Sequence, residues 1–146
     1  MRQLVICAAG ILVAAAAFAA DAPAPDLLHP KAPAGAKVFI VAPQDGATVD
    51  QDFTVKFGVE GIAIAPATDA TPGTGHHHLL IDVIELPPTG MPIPNDATHK
   101  HYGKGQTEDT IHLAPGDHTL QLDFANAAHV PFTPALVSKK ITVHVK

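Results

Sequence analysis

The chain has 146 residues, a formal net charge of −5 with histidine neutral, 47% hydrophobic residues, and 10 histidines against one cysteine and no tryptophan. One domain's worth of chain with this apolar content can bury a core, and an acidic balance without basic clusters excludes nucleic acid and anionic membrane surfaces as partners. The single cysteine, Cys7, excludes an internal disulfide and a multi-thiolate metal site.

In chain order, Met1-Arg2-Gln3 leads into an uninterrupted apolar run over 4–17, then Ala17-Phe18-Ala19, a small-x-small cleavage pattern. Residues 1–19 read as a secretory signal peptide, which implies a periplasmic or secreted product whose mature form lacks Cys7. The run is short for a spanning helix and nothing later resembles one, so no stable membrane insertion is expected. Residues 20–36, mostly Ala, Pro and Asp, read as an extended, solvated linker.

Order is expected from residue 37. Residues 37–41 form a short apolar strand, and Asp45-Gly46 marks a turn. Residues 53–60 alternate strictly, turning Phe53, Val55, Phe57 and Val59 inward, and 61–75 read as a loop. The stretch 79–84 is rich in β-branched residues and predicts a central strand, with His76, His77 and His78 at its beginning, at the rim of the core. Strand alternation puts His76, His78, Leu80 and Asp82 on one face and His77, Leu79, Ile81 and Val83 on the other. Four prolines over 87–94 preclude ladder and helix, leaving a long loop before His99-Lys100-His101-Tyr102. Strands over 107–113 and 117–124 are joined at Ala114-Pro115-Gly116, a loop over 126–134 carries His129, and 135–145 closes the domain. With no sustained helical period, the pattern predicts an all-β fold: a single immunoglobulin-like antiparallel β-sandwich of about seven strands over residues 37–146.

Three pieces taken together, Gly75-His76-His77-His78-Leu79-Leu80-Ile81-Asp82, then His101-Tyr102-Gly103-Lys104-Gly105-Gln106-Thr107-Glu108, then Pro115-Gly116-Asp117-His118-Thr119-Leu120 with a later His129-Val130-Pro131, resemble a bacterial periplasmic family catalogued as domain of unknown function 4399. The resemblance runs from Val38 to Val145 and implies no activity. The corner over 114–120 is also similar to a hairpin of periplasmic copper-carrier sandwiches, a likeness of fold alone.

Imidazole is the commonest transition-metal ligand, and an ion needs three or four donors meeting at one point. The strand carrying His76 and His78 is expected to pair antiparallel with 117–124, which brings its start towards His129. The pair His99-x-His101 leaves one side of an extended chain, a spacing suited to chelation. The candidate metal ligands are therefore His76, His78, His99, His101 and His129, and the sole methionine beyond the signal, Met91, disfavours a thioether cuprous site and points to copper(II), zinc or nickel. Of the other histidines, His77 is expected as a hydrogen-bonded structural residue of the core and His118 as a tie from the corner to backbone. His112, His144 and His29 are expected in solvent. Asp82 either orients an imidazole or caps a backbone donor.

Catalytic chemistry has thinner support. Ser138 is the only serine and has no nucleophile-elbow context, and nothing in the sequence fixes the separation of Asp82 from Asp123 or of Glu85 from Glu108. Two readings follow. One is an exported carrier or buffer of a divalent ion such as copper or zinc. The other is a non-catalytic module whose histidines are structural and whose proline-rich tether sets it against another envelope protein. In the first, protons should compete with metal between about pH 7 and pH 5 while an aliphatic core keeps the apo fold intact.

Overall fold

The computed structural model describes residues 24–146, so the expected signal peptide over 1–19 lies outside the described residues. Among them the fold is all-β, without a helix, and no helix is long and apolar enough to cross a membrane. Its strands are β1 (Lys37–Ala42), β2 (Ala47–Val49), β3 (Asp52–Glu60), β4 (Ala63–Ile64), β5 (Thr74–Ile81), β6 (His99–His101), β7 (Glu108–His112), β8 (Gly116–Ala125) and β9 (Ile141–Val145). The two strands not anticipated, β2 and β4, come from segments read as turn and loop. Both run parallel to their neighbours, β9 and β5, against an otherwise antiparallel pattern.

One sheet has the order β1-β3-β7, and the other β2-β9-β8-β5-β4, with β6 also paired to β5. The alternation of β3 buries Phe53, Val55 and Phe57 against Leu79 and Ile81 of β5, Leu120, Leu122 and Phe124 of β8, and Ile141 and Val143 of β9. Val59 packs against this cluster half-buried. Leu122 is wholly buried, so Leu122→Ala would destabilise by about 2–5 kcal/mol.

β5 is displaced from the expected 79–84 towards its N-terminus, which sets the three histidines in mid-strand rather than at a rim. The cause lies at Asp82. Its φ of 57° is left-handed, its backbone N–H donates to Thr119 O at 2.9 Å, and its Oδ1 accepts from Thr119 N–H at 2.7 Å, so the ladder turns off there and Ile84 ends 91% exposed. Pairing with β8 is antiparallel as expected, from His76 opposite Ala125 to Ile81 opposite Leu120. β6 lies along the other edge, His101 opposite His78 and His99 opposite Leu80.

The final segment is strand only over Ile141–Val145, and residues 131–138 reach β8 through isolated bridges at Asp123–Val137 and Ala125–Pro131. The stretch before β1, expected to be solvated, is held against the domain from residue 27 onward. Pro30 is buried, Ala32 N–H donates to Thr133 O at 3.1 Å, Thr133 N–H donates to Pro30 O at 2.7 Å, and Leu27 O accepts from Asn126 Nδ2 at 2.8 Å. Loop 126–134 offers backbone donors and acceptors there, which a composition-based reading of an Ala/Pro segment does not register.

Candidate metal centre

β5 is flanked by β8 on one side and by β4 and β6 on the other, so it is an interior strand with neither edge free. The inward face carries His77, Leu79 and Ile81 into the common core. The opposite face carries His76 and His78, which are 0% and 1% exposed. Two local features make room there. A Cβ on Gly75 would collide with the carbonyl of Ala125, so glycine lets β5 approach β8 just before the histidines. A Cβ on Gly103 would collide with the His101 imidazole, so glycine leaves that ring its place.

Four histidines meet on this face. One ring nitrogen from each of His76, His78, His101 and His129 lies within 4.8 Å of the others. His76 Nε2 stands 3.1 Å from both His78 Nε2 and His129 Nδ1, and the His101 and His129 ring centroids are 4.6 Å apart. An imidazole nitrogen has one in-plane lone pair or one proton, so the two contacts to His76 Nε2 cannot both be good hydrogen bonds. A tetrahedral ion with nitrogens at about 2.0–2.1 Å would set them about 3.3–3.4 Å apart, close to the 3.1 Å of the two contacts at His76 and inside the 4.8 Å that bounds all four. Buried His101 Nε2 has no hydrogen-bond partner among the described residues, nor do His76 Nδ1 and His78 Nδ1.

His129 reaches the group from a loop built around Asn126. The Asn126 Oδ1 accepts from Ala128 and Val130 N–H, each at 3.0 Å, and its Nδ2 donates to Leu27 O. His129 itself has a φ of 62°, uncommon for a residue with a side chain, and its N–H donates to Asn126 O at 2.9 Å while its carbonyl accepts from Ile93 N–H at 2.8 Å. Strained backbone of this kind clusters where a side chain must be held for a function.

The electrostatics favour neutral rings. Burial, reinforced by the neighbouring imidazoles, lowers His76 to about 4 and His78 to about 2, and burial lowers His101 as well. Their lone pairs are free at neutral pH, as coordination requires. Asp123, directly across from His78 on β8, is 1% exposed, and burial pushes its carboxyl up to about 7.

His99 does not join the four. It lies one step along β6, and its Nδ1 meets Asp96 Oδ1 at 2.9 Å in a turn whose carboxylate also accepts from Thr98 and His99 N–H. His77 is buried in the core as expected but is not hydrogen-bonded: neither ring nitrogen has a partner among the described residues. It is packed between Phe57 and Phe124, with centroids at 5.2 and 5.0 Å, and burial lowers it to about 4. The core is therefore not purely aliphatic, and burial keeps His76 and His78 neutral well below pH 5.

His118 does tie the corner back. Its Nε2 donates to Ala114 O at 2.9 Å and its Nδ1 meets Asp82 Oδ2 at 2.7 Å, two acceptors that favour the imidazolium and raise its pKa. Asp82 thus both orients an imidazole and caps a backbone donor, although the imidazole is not a ligand candidate. His112, His144 and His29 lie at the surface beside Asp52, Asp117 and Asp26. A cleft of about 440 Å³ between residues 25–31 and 70–74 contains none of the four histidines. Sequence reasoning missed Asp123 and Asn126 as parts of the site. The outward place of Asp123 on the alternating strand β8 was the available signal for the first, and Asn126 gave none beyond a turn.

Fold and site together define an all-β domain with a cluster of four buried or half-buried imidazoles that could hold a metal ion. The chain belongs to the family described as Domain of unknown function (DUF4399), whose model matches residues 55–146 and so contains all four histidines. No curated protein and no solved structure matches the chain.

Proposed function

We propose that the protein is an exported metal-binding domain that carries or buffers one borderline divalent ion, copper(II) or zinc, in the periplasm or outside the cell. The observation that carries this reading is the convergence of four buried or half-buried imidazole nitrogens within 4.8 Å of one another. Nitrogen donors without sulfur suit copper(II), zinc and nickel rather than calcium or magnesium. Four protein donors complete a tetrahedron, which favours holding an ion over catalysis, since a catalytic centre keeps a position open for water or substrate. The export half of the proposal rests on the N-terminal pattern over 1–19.

Elemental analysis of tag-free protein, after incubation with equimolar copper(II), zinc and nickel and removal of free ions, tests the reading. One equivalent of a single metal is expected on the wild type and on the double variant His112→Ala/His144→Ala. It should be lost in His76→Ala/His101→Ala. Equal retention by both variants would point to surface adsorption and refute the site.

A further inference from the structure

A histidine that binds a metal through one ring nitrogen needs an acceptor for the proton on the other, and a carboxylate in that position fixes the tautomer and strengthens the ligand. His78 turns Nε2 towards the cluster, 3.1 Å from His76 Nε2, and its Nδ1 is buried with no partner among the described residues. Directly opposite on β8, and therefore on the same face, stands Asp123, 1% exposed, with an Oδ1 that also has no partner. Each orphan lacks what the other supplies. A buried carboxylate oxygen without a donor is unfavourable, so its presence beside an unpaired imidazole nitrogen needs a physical reason.

We infer that Asp123 is the positioning residue of the metal centre: in the loaded protein its carboxylate accepts the Nδ1–H of His78. Directly opposed residues of an antiparallel pair have Cβ atoms about 4.5–5.5 Å apart, within reach of both side chains by torsion alone. The contact forms with Asp123 ionised, so a carboxyl proton carried before loading is released as the metal binds. It fixes His78 as the Nδ1–H tautomer, leaves the Nε2 lone pair for the ion, and sets one negative charge beside the two positive charges that four neutral imidazoles leave uncompensated. Asp123 is not a ligand itself, since it lies outside the four groups that share one point. His76 faces Ala125 across the strands, so Asp123 stands directly opposite His78 and only diagonally from His76.

This inference rests on the four-histidine reading, and its test separates the two. Zinc affinity is measured by competition with a chromophoric chelator for wild type, Asp123→Asn and Asp123→Leu, alongside thermal melts of each metal-free protein and histidine-selective ¹⁵N spectra of the zinc-loaded forms. The wild type is expected to show a slowly exchanging, downfield Nδ1–H signal from His78. Asp123→Leu should lose that signal, and both variants should bind zinc about 10–100-fold more weakly with unchanged stoichiometry and no lower melting temperature. If Asp123→Leu fails to fold, the isosteric Asp123→Asn decides by affinity and by an upfield move of the same signal. Wild-type binding at one equivalent with both variants within threefold of it, and an unaltered Nδ1–H signal, would overturn the role of Asp123 alone. Absence of zinc binding by the wild type would overturn both.

Discussion

His77 offers a test of the core that does not involve the metal. Its imidazole sits wholly buried between Phe57 and Phe124 with both ring nitrogens unpaired. Each unsatisfied polar atom is unfavourable by about 1–3 kcal/mol, and reshaping a packed core for a new side chain costs about 1 kcal/mol. His77→Leu should therefore leave the metal-free protein about 1–5 kcal/mol more stable at pH 7.5. The pH dependence sharpens this. Burial lowers His77 from 6.5 to about 4, so as pH falls below 6.5 the unfolded chain takes up a proton that the folded chain refuses, and stability is lost until about pH 4. At pH 5 the penalty from this one ring is about 2 kcal/mol. Urea denaturation of wild type and variant with chelator, at pH 7.5 and pH 5.0, measures both effects, and contributions from His76, His78 and Asp123 cancel in the difference. The advantage of His77→Leu should widen by about 2 kcal/mol on acidification. A variant less stable than wild type at both pH values, or a gap that does not change, would refute the reasoning.

The remaining predictions concern the loop, the corner and the proton competition. Asn126→Ala removes three hydrogen bonds that shape the His129 loop, and should lower stability by about 2–4 kcal/mol and zinc affinity at least tenfold, as read by denaturation and chelator competition. His118 has a raised pKa, so its bond to Asp82 stabilises fully below pH 6.5 and is lost as pH rises through the folded value. The stability difference between wild type and His118→Gln should accordingly shrink from pH 6 to pH 9, and a difference that grows would contradict the assigned imidazolium. Because His76 and His78 stay neutral to about pH 4 and about pH 2, zinc affinity should fall between pH 7.5 and pH 5.5 by less than the roughly 100-fold that two ordinary imidazoles would impose.

The all-β fold and the pairing of β5 with β8 were legible because both follow from local signals: period-two alternation, β-branched runs, and Gly or Pro at each boundary. Four of the five candidate ligands meet for the same reason, since alternation fixes that His76 and His78 share a face. His99 was not separable from His101 by spacing alone. Its exclusion depends on Asp96, whose carboxylate captures the His99 ring in a turn that only the folded loop reveals. The displacement of β5 was hidden because it depends on a left-handed Asp82 bonded to Thr119, far away in sequence. The unpaired His77 was misread for a general reason. Burial predicts that a polar ring has a partner, but an inward position flanked by Phe57 and Phe124 offers none, and the ring persists there neutral. That ring also works against the expected acid resistance of the apo fold, because burial lowers it to about 4.

X-ray absorption at the zinc edge, on protein loaded with one equivalent and cleared of free ion, tests the four-imidazole centre most directly. The account predicts a single shell of four nitrogen donors at about 2.0–2.1 Å with the outer-shell scattering of imidazole rings and no sulfur at about 2.3 Å. His99→Ala should leave that spectrum unchanged, and His129→Ala should remove one ring from it. A shell dominated by oxygen, fewer than three imidazoles in the wild type, or a spectrum indifferent to His129→Ala would contradict the centre.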